Sequence, residues 1–230
     1  MDMSPYLLHY APDNASVIIR MALDSVGLPF DAVLVDRSRH AQTSPDYLKL
    51  NPHGLIPVLE GPEGAIFETG AILLWLNDRH GELGPSVTNP ARADFLKWLF
   101  FISNTVHPAL RMCFYPEKYV GPQAAPQLTL YQTMSKAIQS HLKTLDLHAS
   151  QRPLPLALQL YLAALLRWCA LYPRDRDRSW FSLADTPHLQ TMCRAVEQMP
   201  CAKAAQAAEG LGPTPFTSPV YAAPEKGTAT

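Results

Sequence analysis

Two features of the stretch NPHGLIPVLEGPEGAIFETGAILLWL, residues 51–76, have the residue types and spacing to do chemistry. Pro57 stands inside a run of strand-forming residues, where it cannot donate a ladder hydrogen bond. A cis bond to Ile56 would turn the chain and leave the backbone N–H and C=O of Ile56 unpaired by the sheet. An extended ligand could then pair with them as an added strand would. A trans proline at a strand start accounts for the same residues without a ligand. Glu68 and Thr69 open an apolar helix and suit its capping, a role that does not conflict with ligand binding. Cys113, Cys169, Cys193 and Cys201 form no CxxC pair and have no histidines at metal-ligand offsets. They are expected to be reduced thiols of a cytoplasmic protein, with no metal site.

The elements that must position these residues follow from periodicity and turn chemistry. Tyr6 to Tyr10 predicts a strand ending at the turn residues Pro12, Asp13 and Asn14. Residues 15–26 carry apolar side chains at helical spacing and stop at Gly27. Phe30 to Val35 predicts a second strand, Ser44 and Asp46 a short helix, IPVLE and AIFE a hairpin, and Thr69 to His80 a third helix. The order βαβ, α, ββα describes an α/β domain in which a parallel pair meets an antiparallel hairpin. Beyond HGELGP the pattern is helical: Asn89–Pro90 starts a helix running to about Cys113, and further helices are expected over 123–149, 156–171, 186–198 and 201–208. The expected division is a domain over 1–82, a helical domain over 89–212, and a Pro-rich tail over 213–230 that is extended or disordered.

Charge narrows the function classes. Residues 1–80 hold five Lys/Arg and ten Asp/Glu, a net of −5, and the remainder fourteen and ten, a net of +4. Neither part has the basic run with interleaved aromatics of a nucleic-acid binder. The most apolar segment, LALQLYLAALL, is too short to cross a bilayer and reads as a core helix. The N-terminus lacks the marks of a secretory signal.

NPHGLIPVL followed by FETGAILLWL resembles the cis-proline loop and γ-glutamyl-binding turn of cytosolic glutathione transferases. The likeness extends to Tyr10, to KWLFFISNTVH in the first long helix and to the closing helices CRAVEQMPCAKAAQAAEGL. It implies a thioredoxin-like N-terminal domain followed by an all-helical one, a homodimer, and glutathione as co-substrate. Ile56 and Pro57 would meet its cysteinyl part, Glu68 and Thr69 its γ-glutamyl end. The chemistry agrees, since an α-amino group needs an acid and an α-carboxylate suits a helix N-terminus. The resemblance also places His107 at the glutathione site, and Arg37 and Arg39 within reach of the glycyl carboxylate.

YAPDNAS most resembles the YxPGACS-type segment of the bacterial beta class, which puts Ala15 where that class has its cysteine. Ser16, with Asn14 or Tyr10, is left to hold the thiolate that acts as nucleophile; Ser16 reads equally as a helix cap and Tyr10 as a packed aromatic. Met112, Phe114 and Trp168 are candidate walls of a pocket for a small hydrophobic electrophile. The family's Ser/Thr-x-x-Asp start of the buried helix is replaced by Leu156 and Gln159. The expected activity is glutathione conjugation; the alternatives are a glutathione-binding protein with little turnover and a glutathione-dependent peroxidase or disulfide reductase.

Overall fold

The computed structural model describes residues 6–223. Four strands, β1 (Tyr6–Tyr10), β2 (Phe30–Leu34), β3 (Val58–Gly61) and β4 (Gly64–Phe67), form a sheet in the order β2-β1-β3-β4. β1 runs parallel to β2 with Leu8 opposite Ala32, and antiparallel to β3 with Leu8 opposite Leu59. β3 and β4 close the hairpin, with Val58 opposite Phe67. Helices α1 (Ser16–Ser25), α2 (Pro45–Leu50) and α3 (Thr69–His80) complete a thioredoxin-like unit, as the alternation of periods predicts.

The rest of the described chain is helical: α4 (Arg92–Phe101), a π-helical segment over Ile102–Val106, α5 (His107–Phe114), α6 (Glu117–Val120), α7 (Ala124–Gln151), α8 (Leu156–Leu171), α9 (Pro187–Gln198) and α10 (Pro200–Glu209). Of the described helices, none is long and apolar enough to span a membrane. The single helix expected to run to Cys113 is instead interrupted by the wide π turn immediately before His107 and Pro108. Proline offers no N–H to the preceding turn and its ring crowds the carbonyl four residues back, and a wider turn relieves that crowding.

The two halves share one core. α1 is buried continuously from Ser16 to Leu23, with the sheet on one side and α8 and α10 on the other. α8 is the most enclosed helix, with Tyr161, Leu165 and Trp168 among its buried side chains. Its missing Ser/Thr cap is offset in part by the backbone, because the Ala157 N–H donates to the Leu83 carbonyl (2.8 Å); the Gln159 side chain caps no helix N–H, its Nε2 donating to the Leu154 carbonyl (2.6 Å).

The Pro-rich tail departs from expectation over its described residues. It forms no helix or strand, yet Phe216 is buried and the Phe216 and Thr217 N–H groups donate to Glu197. Arg167 donates to the carbonyls of Leu211, Pro215 and Val220, so side chains of the helical core satisfy a backbone that has no ladder of its own.

Candidate functional site

The loop between α2 and β3 is built to present Ile56. Asn51 Nδ2 and the Tyr47 hydroxyl both donate to the Leu55 carbonyl (2.9 and 2.8 Å), and Asn51 Oδ1 accepts the His53 N–H. Gly54 has φ +61°, and a Cβ there would meet the Gln42 carbonyl oxygen at 2.9 Å, so glycine is required on both counts. The Ile56–Pro57 bond is cis. Within the described residues the Ile56 backbone makes no hydrogen bond, and β3 begins only at Val58.

Glu68 follows β4 and precedes α3 with φ +72° and ψ +115°. A non-glycine residue held there stores about 1–3 kcal/mol of strain, typical of positions fixed by the surrounding fold for function. Its side chain makes no cap bond and is exposed, whereas Thr69 is buried beside Tyr161. The loop after β1 supplies Asp13, Asn14 and Ala15. Together with Ile56, Pro57, Glu68, Thr69, His107, Phe114 and Trp168, these residues line one cleft of about 390 Å³ between the sheet end and the helices.

His107 Nδ1 and the Tyr161 hydroxyl lie 2.9 Å apart, and Nε2 has no partner among the described residues. Desolvation first, then the charge of Arg111, lowers the His107 pKa to about 4, so the imidazole is neutral at physiological pH. Burial pushes the Tyr161 phenol up, keeping it protonated. With the Tyr161 O–H donating to Nδ1, the single N–H of the neutral ring is on Nε2.

Four sequence-predicted site residues lie outside the cleft lining. Ser16 is buried, its hydroxyl accepting the Ala11 N–H (3.2 Å) and donating to the Ala11 carbonyl (3.1 Å). Tyr10 packs under the Arg20 guanidinium, 4.8 Å from its ring centroid, because strand alternation aims it away from the cleft. Arg39 is exposed and pairs with Asp36 at 3.6 Å; it lies two residues, about two thirds of a 3₁₀ turn, beyond the residue that does reach the cleft, Arg37, and so faces another way. Met112 falls off the face of α5 that carries His107, Arg111 and Phe114 toward the lining. Asn14 does line the cleft, with its Oδ1 accepting the Ala15 N–H (2.7 Å). Trp168 lines it too, but its Nε1–H is committed to Asp13 (2.9 Å).

Sequence reasoning missed Gln42 and Asp13. Arg37 Nη1 and Gln42 Oε1 are buried in the cleft lining without a hydrogen-bond partner, although Arg37 Nη2 reaches the Tyr115 hydroxyl (3.3 Å). An orphaned buried donor and acceptor at a cleft wall are groups that a polar ligand would satisfy. Gln42 carries no sequence signal beyond its place in a polar loop, and Asp13 reads as a turn residue.

Residues 3–78 match the family model for the glutathione S-transferase N-terminal domain. Glutathione S-transferase GST-4.5 of Xanthomonas campestris pv. campestris is 28% identical over 212 residues, covering 89% of this chain and 98% of that protein. A sphingomonad glutathione S-transferase solved in complex with glutathione superposes with a TM-score of 0.74 at 27% identity, covering 90% of this chain and 100% of the other. Residues 3–78 carry a glutathione S-transferase N-terminal domain, and the fold of the described chain is that of the cytosolic glutathione S-transferases. Probable elongation factor 1-gamma 2 of Arabidopsis thaliana is 30% identical over 131 residues, but the match spans only 30% of its length. The chain with this glutathione S-transferase fold has the site geometry above with Ala15 in the loop after β1.

Proposed function

We propose that the protein is a glutathione transferase whose cleft holds the tripeptide along the Ile56 backbone and offers its thiolate to an electrophile on the helical side. The observation that carries the reading is the convergence in one cleft of an unpaired backbone edge, an acid beside a helix N-terminus, and an orphaned guanidinium nitrogen. In this arrangement Ile56 pairs with the cysteinyl peptide, the Thr69 hydroxyl and the α3 N-terminus receive the α-carboxylate, and Glu68 receives the α-ammonium. Arg37, rather than Arg39, takes the glycyl carboxylate.

Thiol activation then falls to groups other than Ser16. A neutral His107 with hydrogen on Nε2 stabilises a thiolate by donating a hydrogen bond, and the Asn14 side-chain amide is a second donor. Neither is a strong base, so the proton of the bound thiol leaves to solvent. The buried, free cysteines fit a cytoplasmic protein, and the homodimer of the family is the assembly proposed. A binding protein with little turnover is the second reading, favoured by Ala15 and by the sealed Ser16 hydroxyl.

Calorimetric titration with glutathione, alongside conjugation of chlorodinitrobenzene, separates them. The proposal expects saturable binding, turnover, and a loss of affinity of about tenfold or more in Glu68→Ala. Binding without turnover leaves the second reading, and no binding removes both. Sedimentation showing only monomer would remove the homodimer.

A further inference from the structure

The helical wall of the cleft carries more positive charge than the tripeptide accounts for. Tyr115, just beyond α5, is ringed by three cations. Arg37 Nη2 donates to its hydroxyl at 3.3 Å, Lys118 Nζ lies 4.5 Å from its ring centroid, and the Arg111 guanidinium carbon lies 6.0 Å from it. All four residues line the cleft, as does the half-exposed ring of Tyr119. The two acids of that lining are placed elsewhere: Asp13 is buried against Arg167, and Glu68 stands at the start of α3. Among the ion pairs of the described residues, none involves Arg37, Arg111 or Lys118.

Cations set in a concave wall without carboxylates to neutralise them focus a positive potential into the cleft. Arg111 is also one helical turn from His107 on the same face, close enough for its charge to act on the imidazole. A group held by Arg111 therefore lies next to the place where the thiolate is expected. A basic aromatic wall at that spot fits a flat, negatively charged molecule better than a neutral one.

We propose that the second substrate is an anionic aromatic electrophile, its acid group held by Arg111 and Lys118 and its ring against Tyr115 and Tyr119. The inference rests on the transferase reading for the position of the thiolate. With an aryl halide of this class, the glutathione sulfur bonds to the ring carbon, the carbon–halogen bond breaks with its electron pair going to halide, and the thiol proton passes to solvent.

The test compares chlorodinitrobenzoate with neutral chlorodinitrobenzene as co-substrates, and nonreactive dinitrobenzoate with dinitrobenzene as ligands of the glutathione-loaded protein, followed by tryptophan fluorescence. The carboxylates are expected to show the higher kcat/KM and the tighter binding. Their advantage should shrink with added salt, and by about tenfold in Arg111→Gln or Lys118→Gln, the scale of one charge-assisted contact. Lys118 is exposed, so Lys118→Gln keeps the test readable if Arg111→Gln misfolds. Equal handling of the charged and neutral members, or a preference that survives Lys118→Gln, overturns the inference. Glutathione binding without turnover of either halide removes the transferase reading, while dinitrobenzoate binding still decides whether the wall selects an anion.

Discussion

Ser16 shows how a residue of the right type at the right position can be structurally unavailable. The sequence offers its hydroxyl one residue from Ala15, but only the fold shows that the Ala11 backbone already occupies both its donor and its acceptor. Ser16→Ala is therefore expected to leave glutathione affinity unchanged and to destabilise the protein by about 2 kcal/mol, because it strands a buried N–H and a buried carbonyl. Denaturant unfolding and calorimetry check both halves. Ile56, Pro57, Glu68 and Thr69 were legible because a proline in a strand and an acid opening an apolar helix break local rules. Arg37 and Arg39 stand two residues apart in a short 3₁₀ helix and so face different ways, a phase that no hydrophobic pattern records. His107 adds a pH dependence. Its pKa falls from 6.5 to about 4 on folding, so between those values the unfolded chain binds more protons and stability rises with pH. The contribution is fully present above pH 6.5 and is lost as pH falls toward 4. It amounts to about 2 kcal/mol once screening through the cleft mouth is allowed for. His107→Asn should show a shallower acid limb when unfolding free energy is measured across that window.

At the scale of elements, local periodicity carried most of the information. The helices expected over 156–171 and 186–198 are found at Leu156–Leu171 and Pro187–Gln198, since their apolar faces are continuous and their ends are marked. The π turn over Ile102–Val106 was not legible, because Phe95, Leu99, Ile102 and Val106 read equally well as an unbroken α-helical stripe. That turn sets the rotation of His107 relative to α4, and thus its approach to Tyr161. Pro108→Ala restores the missing N–H and removes the ring that crowds the preceding turn. We expect the segment to tighten toward α-helix, loosening the His107–Tyr161 contact and raising the imidazole pKa by about one unit or more toward its ordinary value. Titration of the His107 ring by NMR would read this directly, and an unmoved midpoint would show that packing against α8 maintains the π turn without the proline.

Over the whole molecule, the site depends on a polar network that no local pattern reveals. Asp13, in the left-handed region at φ +51°, sits in the cleft-lining loop after β1. Its carboxylate receives Arg167 Nε and Nη2 (2.8 and 2.9 Å), Trp168 Nε1 (2.9 Å) and the Tyr172 hydroxyl (2.7 Å), all from the helical half of the chain. Its backbone N–H donates to Glu209, which also pairs with Arg20 of α1 at 2.9 Å; burial raises the Glu209 pKa to about 7 against the opposing pull of Arg20. Arg167 carries the same network into the tail carbonyls, so the first loop, the last helix and the tail are tied at one buried point. In the sequence, Asp13 reads as a turn residue and Arg167 as a lone charge in an apolar helix; only folding brings residues 154 apart into one ion pair. Breaking one side of a buried pair costs about 3–5 kcal/mol because the other charge is left unpaired. Asp13→Asn tolerates the left-handed backbone but strands the Arg167 guanidinium, while Arg167→Met strands the Asp13 carboxylate. Each single variant should therefore lose that much stability, and should weaken glutathione binding as the loop beneath the cleft loosens. The double variant should recover about half of the summed loss, but not all of it, since the tail carbonyls remain without their donor. A double-mutant cycle by denaturant unfolding measures the coupling. Strict additivity, or glutathione affinity indifferent to all three variants, would show that the network secures the tail alone and that the loop holds its shape without it.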